Sequence, residues 1–406
     1  MYVAVMGCGI VGSGVVRLIS KNREGIKKRR MTDLEVKHIL DIRDFPDSPF
    51  AELFTKDFND ILGDDDVKVV VETMGGLHPA FEYVSACLKA GKSVVSSNKL
   101  LVSQKGYELL QLAKDNNVNF LFEASVAGGI PIIRPIVQCL AANEVEEIAG
   151  ILNGTTNFIL TKMIVEKMSF ADALALAQKN GYAEADPTAD IEGLDACRKI
   201  CILASIAFGS HVYPESVYTE GITSISESDV AYANDMGAVI KLIANAKKIS
   251  DDKIEIATAP AIIFRGSQLA GVSDEYNAVL VRGDAIGDVV FYGKGAGRFA
   301  TASAVVADVA DCAIHLERRK YFGWDEAKEN YVSDYGKHQQ KFMVRVETDD
   351  AGAVRKVFGD VRVLNRENAP ENEFAFVTPV MSLDEVKREL ASLPVTIGNI
   401  IRITDY

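Results

Sequence analysis

The densest run of ionisable side chains is Gly181–Ile200, GYAEADPTADIEGLDACRKI, which places Glu184, Asp186, Asp190, Glu192 and Asp195 ahead of Lys199. Asp195 and Lys199 are four residues apart, so a helix puts them on one face with the acid nearer the N-terminus, the better order for pairing. Desolvation in a closed site draws a lysine pKa down towards working pH, which suits acid–base chemistry. Hydride reduction of an aldehyde needs one such donor for the developing alkoxide. The neighbouring carboxylates are suited to hold the ammonium group of an amino-acid substrate. A solvated helix pair contributing about 0.3–0.5 kcal/mol has the same spacing, and both readings stay open. A second lysine, Lys99, follows the strand-like Ser93–Val95 in VSSNK. Ligands on parallel sheets bind beyond the carboxyl ends of strands, where such a lysine reaches nicotinamide and substrate. A plain surface lysine is the ordinary alternative.

GCGIVGSG at residues 7–14 follows the apolar strand Tyr2–Met6 and opens a helix from Val11. Gly7 permits a tight turn, Gly9 lets the backbone approach a pyrophosphate, and Gly12 lets helix and strand lie close. The pyrophosphate then meets free N–H groups and the positive end of a helix dipole. The next strand ends at Asp41, placed to bind the ribose 2′-OH of NAD, while Arg43 is placed for the 2′-phosphate of NADP. NADP(H), NAD(H) or both are therefore expected.

Three further loops carry small and polar residues. EASVAGGIP at 123–131 follows a strand and exposes carbonyl oxygens, which can cage a hard cation such as Na⁺ or simply turn the chain. GILNGTTN at 150–157 runs from strand into helix, and its Asn and Thr groups either cap that helix or line a pocket. GKGAGRFAT at 293–301 precedes another helix and suits a cover over a cofactor.

Elements must hold these residues in place. Residues 1–125 alternate apolar strands (2–6, 35–40, 67–71, 93–95, 118–122) with helices (11–20, 51–62, 79–90, 103–116), the signature of a parallel sheet covered on both faces. Residues 153–209 read as helices (157–168, 169–180, 191–208) and 237–292 as strands, an α+β domain for substrate and dimerisation. The apolar-faced helix Thr301–Arg319 returns to the first domain. Residues 338–406 read βαββαβ, a ferredoxin-like order. The expected division is a Rossmann domain at 1–135 completed by 298–319, a substrate domain at 136–297, a linker at 320–337 and a small domain at 338–406.

Composition agrees with this reading. The 406 residues are 48% hydrophobic and 25% charged, with a net charge of −13, which argues against a nucleic-acid surface. The basic run Lys21–Arg30 reads as a solvated loop or helix end. None of the six cysteines forms a CxxC pair, which suggests a reducing cytoplasm. No apolar run reaches the roughly 18 residues of a membrane helix.

Taken together these segments resemble homoserine dehydrogenase over residues 1–317. The pieces are GCGIVGSG, VETMGG (71–76), NK (98–99), EASVAGGIP, GILNGTTNF, GYAEADPTADIEGLDACRK and GKGAGRFATASAVVADV (293–309), in family order. The resemblance implies reversible reduction of L-aspartate 4-semialdehyde to L-homoserine. It implies catalytic roles for Lys199 and Lys99, with Asp195 beside Lys199, and substrate binding by Glu184 and Asp190; Thr155 and Asn157 of the NGTTN turn are expected to line the same pocket. It implies cofactor contacts at Gly9, Ile10, Val11, Gly12, Arg43, Thr73, Lys99 and Gly297, beside Gly7 and Asp41 expected from the turn itself, and Na⁺ on the carbonyls of Glu123, Val126, Gly128 and Ile130. The tail resembles an ACT-type regulatory module, which implies a threonine effector, although Asp349-Asp-Ala-Gly352 replaces the usual Asp-x-Pro-Gly. A homodimer or homotetramer is expected. Two alternatives stand beside this: another NAD(P) oxidoreductase acting on an amino acid, or a non-catalytic dinucleotide or amino-acid sensor.

Overall fold

The first strand, β1 (Tyr2–Met6), leaves only its leading residue exposed, as a strand covered on both faces must. The computed structural model describes residues 1–406. In one of the chain's two units, made of 1–143, 201–214 and 293–328, β1 lies in a six-stranded sheet with β2 (Glu35–Leu40), β3 (Phe54–Thr55), β4 (Val67–Glu72), β5 (Ser93–Ser96) and β6 (Phe120–Leu121). The order β3-β2-β1-β4-β5-β6, with parallel pairing throughout, is the doubly wound dinucleotide-binding arrangement, whose ligand crevice opens where the order reverses, between β1 and β4.

The helices of this unit's first half are α1 (Ile10–Arg30), α2 (Asn59–Leu62), α3 (Ala80–Lys89) and α4 (Lys99–Asp115). Val15, Val16 and Ile19 of α1 pack on Val3, Val5, Val69 and Val71, and Ala302, Val305 and Val309 of the late helix Arg298–Ile314 join the same core. A Cβ on Gly14 would lie 2.8 Å from the Arg298 carbonyl oxygen, so glycine lets these two helices touch backbone to backbone. The basic run continues α1, and its last turn holds Lys27, Lys28, Arg29 and Arg30, where cations suit the dipole. Residues 51–62 do not form the expected helix. A 3₁₀ turn at Ala51–Leu53 leads into β3, and α2 is four residues long. Asp57 accepts from the Asn59 backbone N–H at 2.8 Å, one of the local side-chain bonds that compete with helix.

The other unit comprises 144–200, 215–292 and 329–406. Its elements run β7 (Val145–Ile151), α5 (Gly154–Val165), α6 (Phe170–Lys179), α7 (Thr188–Ile191), α8 (from Leu194, ending at Phe208), β8 (Tyr218–Thr219), α9 (Glu227–Asp235), β9 (Ala238–Ser250), β10 (Lys253–Phe264), β11 (Tyr276–Gly283) and β12 (Gly287–Lys294); Arg298–Ile314 is α10. The chain closes with β13 (Lys341–Glu347), α11 (Ala351–Phe358), β14 (Arg362–Leu364), β15 (Glu373–Val377), α12 (Leu383–Ala391) and β16 (Thr396–Thr404). The expected helix 191–208 is broken at Gly193, where φ is +78°.

The βαββαβ tail has the strand order β16-β13-β15-β14, as a ferredoxin-like unit should. It does not stand apart. β16 pairs in parallel with β10, Ala261 opposite Arg402 and Ile263 opposite Thr404, so tail and middle strands share one ten-stranded sheet. Buried charge reinforces the join: Arg345 donates to Asp229 at 2.8 Å, and Asn399 donates to the same carboxylate at 3.1 Å. Residues 320–337, read as a linker, are held by contacts within each unit. Trp324 is buried and donates to His211 Nδ1 at 3.0 Å, while in the other unit Tyr335 stacks on Tyr218 at 4.1 Å. No helix is long and apolar enough to cross a membrane.

Candidate active site

The glycine turn leaves β1 at Gly7, whose φ of +92° and the 2.9 Å separation of its would-be Cβ from Met74 Cα admit no other residue without strain. A Cβ on Gly12 would fall 1.9 Å from the Gly7 carbonyl oxygen. Thr73, on the turn after β4, donates to that same oxygen at 2.7 Å and braces the loop. Gly9 caps α1 without a side-chain bond, and nothing lies within 4 Å of where its Cβ would be. The turn therefore offers an open, uncapped helix N-terminus, which fits a dinucleotide pyrophosphate. Ile10 is exposed and Val11 half-buried on the first turn of α1.

Asp41 ends beside this turn. Its carboxylate accepts from the Cys8 backbone N–H at 2.7 Å and from Arg43 Nε and Nη2 at 3.0 and 2.9 Å. Burial opposes ionisation, but the hydrogen bonds from Arg43 and Cys8 outweigh it and bring the pKa to about 2. A cavity of about 430 Å³ touches Gly7, Gly9, Asp41, Arg43, Thr73 and Gly75, and a second of about 640 Å³ touches Gly9, Arg17, Arg43 and Arg298. Gly297, at φ +123°, caps α10 in the same unit.

Lys99 is half-buried at the first residue of α4. The residue before it, Asn98, joins a network around Glu72 (3.5 Å), which is fully buried at the end of β4 and which sequence reading passed over. Glu72 accepts from Ser96 Oγ at 2.6 Å and from the Met74 and Gly75 backbone N–H groups at 2.8 and 3.3 Å. Asn98 caps α4 by accepting from Leu101 N, and donates to the Gly76 carbonyl at 2.6 Å. Burial raises the Glu72 pKa in spite of these bonds. The signal in sequence was a lone acid closing the apolar run VKVVVE.

The 123–131 loop lies in this unit too. The Glu123 carboxylate accepts from the backbone N–H groups of Ile132, Ile133 and Arg134 at 2.6–2.8 Å. The main-chain oxygens of the loop are the ligands expected for a cation. Ala127 and Gly128 both sit at φ 54°, and Gly128 has no room for a Cβ, which would lie 2.3 Å from the Gly295 carbonyl oxygen. Behind the loop, the buried Asp308 accepts from the Glu123 N–H at 2.8 Å and from Arg134. Burial, aided by Glu123, lifts its pKa to about 7.

In the other unit, the turn from β7 into α5 meets the acid-rich run. Lys199 Nζ donates to Asp195 Oδ2 at 2.6 Å and to the Leu152 carbonyl at 2.7 Å. The pair is no solvated helix pair: the two side chains are 10% and 3% exposed. Removing one member would leave an uncompensated buried charge, a loss of about 3–5 kcal/mol. Asn153 organises the cluster. Its Oδ1 caps α5 by accepting from Thr156 N at 2.8 Å, while its Nδ2 donates to Asp190 at 2.7 Å and Asp195 at 2.9 Å. Glu184 is exposed on the loop before α7, and Asp190 is half-buried. Thr155 and Asn157, expected at the substrate, both bond to main-chain carbonyls of this unit. Thr155 donates to the Tyr182 carbonyl at 2.6 Å. Asn157 donates to the carbonyls of Val272, Asp274 and Tyr276 and accepts from Lys241. The polar side chain that bridges the acids is Asn153.

A doubly wound sheet with an open glycine turn and a separate buried lysine–carboxylate pair defines an NAD(P)-dependent oxidoreductase. The family model described as homoserine dehydrogenase, NAD binding domain matches residues 7–123, and that described as homoserine dehydrogenase matches 131–310. A homoserine dehydrogenase of Synechocystis sp. is 44% identical over 315 residues, covering 76% of this chain and 72% of its own. A crystal structure of a homoserine dehydrogenase from Thiobacillus denitrificans superposes with a TM-score of 0.91 at 34% identity, covering 100% of this chain and 98% of the other. A hyperthermophilic archaeal homoserine dehydrogenase in complex with NADPH gives a TM-score of 0.66 at 27% identity over 77% of this chain and 98% of its own. The chain belongs to the homoserine dehydrogenase family.

Proposed function

We propose that the chain interconverts L-aspartate 4-semialdehyde and L-homoserine with Lys199 as the proton donor to the forming alkoxide. The observation that carries this is the buried Lys199 ammonium, fixed between Asp195 and the Leu152 carbonyl. A bound nicotinamide supplies or accepts the hydride. Asp195 keeps the ammonium oriented, and Asp190 and Glu184 receive the α-ammonium of the substrate. Lys99, at the carboxyl end of β5, serves as the second catalytic lysine. Oxidation of L-homoserine followed at 340 nm tests the reading. Lys199→Ala is expected to lower kcat by about 10²–10⁴-fold, the usual span of a general acid, with a smaller change in KM; a near-wild-type rate would remove the role.

Both NADP(H) and NAD(H) are taken as cofactors, because Asp41 and Arg43 stand together at the end of β2 and answer to a 2′-hydroxyl and a 2′-phosphate respectively. Na⁺ is assigned to the carbonyls of Glu123, Val126, Gly128 and Ile130, a reading supported by the tight, buried turn that carries them. The tail is read as an ACT-type module with threonine as effector, on its ferredoxin-like strand order. A homodimer or homotetramer in the cytoplasm completes the proposal; the six free cysteines suit a reducing compartment.

A further inference from the structure

We infer that the seam where β16 joins β10 is a binding site for a small monocarboxylate anchored on Arg402. The guanidinium is buried, with the residue only 3% exposed. Its Nη atoms donate to Asn245 Oδ1 at 2.7 Å and to the carbonyls of Ile243 and Ala259 at 2.6 and 3.1 Å. All three acceptors are neutral, and no carboxylate pairs with it. A buried cation without a counter-charge is an unfavourable state that a bound anion relieves. Its Nε has no hydrogen-bond partner, and neither does the buried Oγ1 of Thr404, two residues along the same strand.

Both residues line a cavity of about 220 Å³. The alternation of a strand directs residues 402 and 404 to one face, and both residues border the cavity, with an unpartnered N–H and O–H buried beside it. That pair matches the two oxygens of a carboxylate. The volume suits a molecule of a few heavy atoms, and the acids on the wall, Glu147, Glu255 and Asp405, set against Lys247 and Arg402, disfavour a multiply charged anion. Glu147 cannot serve as the missing counter-ion, because it is already held by Arg282 at 3.0 Å and by the Tyr406 hydroxyl at 2.9 Å. The register sets Arg402 opposite Ala261 and Thr404 opposite Ile263. A carboxylate bound there strengthens the joint between the C-terminal strands and the central sheet, at a place remote in sequence from the β13–α11 turn.

The test uses the full chain and the ¹³C-carboxyl lines of acetate and glycine, with glycinamide as a carboxylate-free control. Excess broadening is expected for acetate and glycine but not glycinamide. Loss of a hydrogen bond to a charged group predicts a drop in apparent affinity of about tenfold or more in Arg402→Gln and in Thr404→Val, with Lys199→Ala unchanged. Thr404→Val decides the matter if Arg402→Gln does not fold. No broadening in the wild type, equal broadening by glycinamide, or binding unchanged in Thr404→Val would overturn the proposal.

Discussion

At the scale of single residues, the central observation is that one amide serves two acids and a helix. Asn153 spends its oxygen on the cap of α5 and its nitrogen on Asp190 and Asp195. Asn153→Ala is expected to destabilise the protein by about 1 kcal/mol through the lost cap and to lower kcat more than the stability loss explains, because Asp195 is freed to move away from Lys199. Asn153→Asp separates the cap from the bridge. It keeps the cap oxygen but sets a third carboxylate, itself buried, against Asp190 and Asp195, so at neutral pH both melting temperature and kcat should fall further than in Asn153→Ala. If Asn153→Asp instead stays near wild type in both measurements, Asn153 is only a cap. The cofactor pair makes a second claim. Arg43→Ala removes the partner of Asp41, so KM for NADP⁺ should rise by about tenfold or more, the scale of a lost charge-assisted bond, while KM for NAD⁺ stays level or falls as Asp41 is released towards a ribose hydroxyl. An equal rise for both cofactors would show that Arg43 only shapes the loop.

At the scale of elements, sequence was most informative where one short stretch carries both its structure and its chemistry. The turn after β1 is such a case: three glycines, a strand before and a helix after leave one conformation, and Gly7 and Gly12 have no room for a side chain. The spacing of Asp195 and Lys199 gave their pairing for the same reason. It could not give burial, which depends on the turn at Leu152 and Asn153 far away in sequence. Nor could it give the bonds of Asn157 to the carbonyls of Val272 and Tyr276, which lie 115 and 119 residues further along the chain. Residues 51–62 misled because an apolar spacing compatible with helix was overruled by local side-chain bonds and by the pairing of Phe54 with Ile39. The return of the late helix to the first domain was legible, but its contact with α1 at Gly14 was not, since that joins residues nearly three hundred positions apart. It can be tested directly. A Cβ there meets the Arg298 carbonyl oxygen and the Ala302 side chain at 2.8 and 3.0 Å, so Gly14→Val should destabilise by about 1–3 kcal/mol, as overpacking does, with a matching fall in melting temperature. No change would mean that the helices separate freely.

At the scale of the whole chain, the tail raises the question of whether it is an appendage or part of the sheet. Its βαββαβ order read from sequence suggests a module that folds alone, and its strand order agrees. The bonds argue for a shared fold. β16 serves two masters, pairing with β13 through most of its length and with β10 at its end, and the last residue, Tyr406, buries its hydroxyl against Glu147 of β7. Deleting residues 338–406 would strip β10 of a neighbour, leaving unpaired backbone groups on a long apolar strand, a template for association. It would also leave Asp229, wholly buried, without Arg345 and Asn399, a loss of about 3–5 kcal/mol by itself. The truncated chain is therefore expected to show a markedly lower melting temperature and to form aggregates in size-exclusion chromatography, with homoserine oxidation falling in proportion to the folded fraction. A truncated chain that stays soluble and melts where the full chain melts would show that the tail is a detachable domain and that the continuous sheet contributes nothing to the stability of the rest.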